Sequence, residues 1–118
     1  MKTRILIALA AGLVGASPAY ASGGLVCRTA GPQPVEVAMV ISHTAISLVV
    51  SARLTDNGRG VAVALAQSWL EPNEVRLDLT DRNAMRHELR LRAKRSGSVY
   101  DGSLWRNGQR RWVRCREA

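Results

Sequence analysis

Residues 85–92 read Met85-Arg86-His87-Glu88-Leu89-Arg90-Leu91-Arg92, a run in which every second position is charged and three of the four between are apolar. A period of two sends successive side chains to opposite faces, so this stretch reads as a strand with one face in a core and one in water. The same alternation extends outward in both directions. Upstream it recurs in Val75, Leu77 and Leu79, in the run from Val61 to Trp69, in Ile46, Leu48, Val50, Ala52 and Leu54, and in Val35, Val37, Met39 and Ile41. Shorter strands fit residues 25–29, 99–106 and 111–116.

Turn chemistry separates the runs: Gly31-Pro32-Gln33-Pro34, Asp56-Asn57-Gly58, Glu71-Pro72-Asn73, Asp81-Arg82-Asn83, Ser96-Gly97 and Asn107-Gly108. Connections this short leave no room for a parallel crossover. The expectation is an all-β fold, an antiparallel meander of about eight strands that forms a closed barrel or a sandwich. Between Val61 and Trp69 the alternate residues Ala62, Ala64, Ala66 and Ser68 are all small, which suits close approach of another segment.

The N-terminus predicts export. Lys2 and Arg4 precede an apolar stretch from Ile5 to Val14, and Ala19-Tyr20-Ala21 has the small-residue spacing of a cleavage site. Residues 1–21 therefore read as a signal peptide and residues 22–118 as a single domain. Its two cysteines, Cys27 and Cys115, fall in the first and last expected strands. An oxidising compartment favours their pairing, which would put those strands side by side.

Without Lys2 and Arg4, 15 of the 17 basic residues remain against 9 acidic ones, a net charge of +6. The charge is concentrated: residues 82–116 hold 11 basic residues and only Glu88 and Asp101 as acids. Arg86, Arg90, Arg92, Arg106, Arg110 and Arg111 are the candidate contacts to a partner, because clustered guanidinium groups attract polyanions and bind them in bidentate fashion. For an exported chain the available anions are envelope components such as lipid head groups and lipopolysaccharide; nucleic acid matches the charge but not the compartment. Tyr100, Trp105 and Trp112 lie among these arginines and are expected in the core, as is His87 on its apolar parity.

Catalytic patterns are missing from the sequence. It holds no metal-ligand spacing, nucleophile elbow or phosphate loop, and oxidised cysteines cannot serve as nucleophiles. Glu71 and Glu74 read as turn acids. The expected function is a non-catalytic binding or envelope-associated module without metal or cofactor.

The segment Ser96-Gly97-Ser98-Val99-Tyr100, followed by Trp105, Asn107-Gly108 and Cys115, resembles the periplasmic inhibitors of C-type lysozyme. Those are small exported antiparallel barrels with an S-G-x-x-Y motif and a cysteine bridge. The resemblance covers about 20 residues and implies a protein partner, with Ser96, Gly97 and Tyr100 beside a loop that enters the lysozyme cleft. The family's basic residue has no lysine counterpart here; Arg106 is the nearest candidate.

Overall fold

The computed structural model describes residues 22–43 and 47–118; the expected leader lies outside the described residues. Nine strands follow in order: β1 (Ser22–Thr29), β2 (Val35–His43), β3 (Ser47–Asp56), β4 (Arg59–Val61), β5 (Ala64–Glu71), β6 (Glu74–Thr80), β7 (His87–Ser96), β8 (Val99–Arg106) and β9 (Gln109–Glu117). Tight turns join several of them. Asn57 and Gly58, and again Asn107 and Gly108, have positive φ at both positions, the backbone that a two-residue hairpin turn demands and that Asn-Gly reaches most easily.

Every ladder is antiparallel, and the sheet order is β4-β3-β2-β1-β9-β8-β7-β6-β5. The sheet curls into a half-barrel. Among the described residues β4 and β5 are its two edges, although β3 and β5 come into contact across the gap. The ninth strand arises because the run from Val61 to Trp69 is broken at Ala62-Val63. Its first part pairs with β3 and its second part with β6, so one segment of chain reaches from one edge to the other.

The first and last strands meet in the middle of the sheet. Cys27 and Cys115 are directly opposite in the β1–β9 ladder, with Cα atoms 3.9 Å apart, and they form the expected disulfide. Both point into a core that is almost wholly aliphatic: Leu54, Leu77, Leu79, Leu89, Leu91 and Leu104 are fully buried, with Val37, Val75 and Val113 around them. Gly102 sits opposite Ala93 and Val113 in this core layer. A Cβ there would collide with the Arg92 carbonyl and the Ala93 backbone, so the absence of a side chain lets β7 and β8 lie this close.

Three register shifts reset the alternation. They fall between Val40 and Ile41, between Leu65 and Gln67, and between Leu79 and Thr80 of the respective ladders, and they leave Val50, Ala66 and Glu88 as the extra residues. Each such bulge exchanges the two faces of its strand. Val49 is consequently buried while Leu48 and Val50 are exposed, contrary to the simple alternation. The small-residue face is divided too, since Gln67 and Trp69 lie outward and Ser68 pairs with the buried Leu77. His87 is likewise displaced from the core; its side chain is half exposed, 3.9 Å from Asp78.

Because the disulfide spans 88 residues, opening it releases a large loop in the unfolded chain. Reduction, or the double variant Cys27→Ser, Cys115→Ser, should lower the unfolding free energy by roughly 4–5 kcal/mol. Denaturant titration measures this, and a change under about 1 kcal/mol would contradict an entropic role for the crosslink.

Candidate functional site

On the outer side of β7, β8 and β9 the register lines up three rows. Arg90 pairs with Trp105 and Trp105 with Arg110; Arg92 pairs with Ser103 and Ser103 with Trp112; Lys94 pairs with Asp101 and Asp101 with Arg114. These nine neighbouring positions hold five cations, two tryptophans and one carboxylate. The opposite parity supplies the core through Leu89, Leu91, Leu104, Val113 and Cys115. The same alternation that builds the core therefore gathers the aromatic and basic residues on the surface.

Trp105 and Trp112 are not core residues, as their sequence context suggested. They are 37% and 59% exposed. The physical reason is parity: both stand on the arginine-bearing side of their strands, and leucine, valine and methionine already fill the interior. Trp69 is also exposed, across the cross-strand pair from Arg76 on the β5–β6 ladder. Tyr100 does turn inward, half-buried against the core, with the Arg95 guanidinium 5.7 Å from its ring centroid.

The cations are held in place without being neutralised as a group. Asp78, nearly buried, accepts from Arg90 Nε at 3.4 Å and from Arg92 Nη1 at 3.2 Å, so one carboxylate orients two guanidinium groups. Arg92 also donates to the Leu91 carbonyl at 2.7 Å. Arg110 donates through Nε to Ser103 Oγ at 2.9 Å, and among the described residues no carboxylate lies within salt-bridge distance of it. Arg114 forms a two-point pair with Asp101, Nε to Oδ1 at 2.6 Å and Nη2 to Oδ2 at 3.1 Å. That pairing holds the Asp101 carboxyl below the usual carboxylate range.

The other sequence candidates have different surroundings. Arg86 belongs to the turn before β7, where its side chain meets Glu88 at 2.9 Å and its amide donates to Asp81 Oδ1. Arg111 donates to the carbonyls of Ala30 and Gln33 and ties β9 to the β1–β2 turn. Arg106 is only 11% exposed and reaches from β8 to Asp56 at the end of β3, 2.8 Å away, and to Glu88 at 3.0 Å. It fastens strands well separated in the sheet order. Ser96 and Gly97 form the exposed tip of the β7–β8 hairpin, and Gly97 has positive φ.

Two shallow depressions border the grid. One of about 570 Å³ is lined by His87, Arg90, Arg92 and Trp105; the other, of about 600 Å³, includes Arg28, Trp112, Arg114 and Arg116. Each combines one indole with several cations. Among the described residues no group of three or more histidine, cysteine, aspartate or glutamate side chains is disposed to hold a metal ion. No helix among them is long and apolar enough to cross a membrane. No protein family, curated protein or solved structure matches the chain.

Hydrogen bonds from Arg86 first, and from Arg106, hold the Glu88 carboxyl below its ordinary value. A carboxyl depressed by folding adds stability that is complete above its unfolded pKa and is lost as pH falls through the folded one. Glu88→Gln should therefore be less stable than the parent at neutral pH, with the gap closing below about pH 4. Thermal melts across pH test this; a gap that widens in acid would contradict the assignment.

Proposed function

We propose that this chain is an exported, non-catalytic binding module that captures polyanions on the outer side of β7–β9. The observation that carries the reading is the placement of Trp105 directly between Arg90 and Arg110. Cations anchored by Asp78 and Ser103 are preorganised, so less side-chain entropy is lost when an anion arrives. Exposed indoles add a flat apolar surface beside the charges. The disulfide and the leader-like N-terminus support export, and lipid head groups or lipopolysaccharide phosphates are among the anions available there.

The test is retention on heparin. Arg90→Gln combined with Arg110→Gln should elute at distinctly lower salt than the parent, because each removed charge weakens a screened attraction. Arg53→Gln, an exposed substitution on β3, should elute close to the parent. Equal elution of all three proteins, or no retention at low salt, would exclude the β7–β9 surface.

A second reading, inhibition of a C-type lysozyme, is supported by the exposed Ser96-Gly97 tip of the β7–β8 hairpin, which is the segment that carries the resemblance. Under this reading excess purified protein slows lysozyme-driven lysis, and Gly97→Val, which strains the positive-φ turn, relieves the inhibition. Unchanged lysis with the parent protein rules it out.

A further inference from the structure

The arrangement of charge around the tryptophans narrows the class of polyanion. β8 runs down the middle of the grid with Trp105 on it. Cations stand on both sides, Arg90 and Arg92 on β7 and Arg110 on β9. Adjacent strands are about 4.8 Å apart, so the backbones of β7 and β9 are separated by about 10 Å with β8 between them. Arg90 and Arg92 lean from β7 toward Asp78 on β6, and Arg110 leans from β9 onto Ser103 of β8. Trp112 lies diagonally from Trp105, at the roughly 7 Å typical of such cross-strand neighbours.

A polymer fitting this pattern has flat apolar faces along its middle and negative groups leaving both edges. Single-stranded nucleic acid is built otherwise, with phosphates along one edge and bases along the other, and pairs best with one basic border beside one aromatic row. An acidic polysaccharide has the required form. In an equatorially 1,4-linked uronan successive rings turn over, so the carboxylates leave alternate edges while the C–H faces of the sugars remain available to aromatic rings. Arginine matches such carboxylates in a planar, two-point fashion.

We propose that the outer side of β7–β9 is a binding site for an acidic polysaccharide, with sugar rings stacked on Trp105 and Trp112 and carboxylates held by Arg90, Arg92 and Arg110. The proposal rests on the polyanion reading of the same surface and adds the chemical class of its ligand. The two depressions beside the indoles give room for a ring at each.

Binding of the disulfide-intact protein to β-1,4-linked oligomannuronate, polyphosphate, a single-stranded oligodeoxynucleotide and phosphatidylglycerol vesicles, at equal anionic charge, tests the proposal. Calorimetry supplies affinities and tryptophan emission reports stacking, in a Trp69→Phe background that removes the indole on β5. The expected result is a change of emission with oligomannuronate. Trp105→Ala should lose about tenfold in affinity for it while binding polyphosphate within about twofold of the parent. Trp105→Phe should recover most of the loss, which separates stacking from any effect on folding. If Trp105→Ala weakens both ligands alike, or neither, the surface reads charge alone and the glycan assignment fails while the polyanion reading stands. Preferred, tryptophan-dependent binding of the oligonucleotide or the vesicles overturns it in favour of nucleic acid or membrane. Binding to none of the four removes the underlying reading as well.

Discussion

The pairing of β1 with β9 is the constraint on which the rest of the molecule depends. Every other ladder joins strands consecutive in the chain, so β1–β4 and β5–β9 could each form as a local meander. Among the described residues only β1–β9 makes them one sheet. The disulfide lies within that ladder, on the core side, where it also contributes to the apolar interior. It fixes the register of β9 against β1 and so the orientation of the strand that carries Arg110, Trp112 and Arg114.

Once that register is fixed, one alternation produces both core and surface. Leu104 and Val113 face inward because Trp105 and Trp112 face outward. The interior is closed by aliphatic side chains, which leaves the large aromatic residues on the outside among cations. Asp78 has a comparable double effect. As a nearly buried acid it needs partners, and the two guanidinium groups that supply them are held in place on the outer surface. Arg106 shows the opposite use of the same residue type, with its charge taken up by Asp56 and Glu88 in fastening β8 to β3 and β7.

The all-β class, the hairpin turns and the cysteine pairing were legible because each depends on local signals: period-two apolar runs, Asn-Gly dipeptides and two cysteines in the terminal strands. The faces were legible only between bulges. Val50, Ala66 and Glu88 carry no sequence mark as extra residues, and each reverses the parity beyond it, which is how Leu48 came out of the core and His87 onto the surface. For β8 and β9 the signal was present and outweighed. Trp112 shares its parity with Arg110, Arg114 and Arg116, opposite Val113 and Cys115, and this points it outward. The general tendency of tryptophan to be buried argued against that parity. Arg106 and Arg111 could not be distinguished from surface arginines, because their partners are 50 and about 80 residues distant.

The broken segment at Ala62-Val63 has a consequence for how the chain folds. Among the described residues it is the only main-chain link between the two meanders, just as β1–β9 is their only shared ladder, so before the disulfide forms nearly all of the loop-closure entropy falls on a single docking event. The end of β9 lies beside the start of β1. A circular permutant joined there and opened at Ala62-Val63 would have its strand order equal to its sequence order. Its strand pairings would then all join consecutive strands, and the β1–β9 closure would become another hairpin.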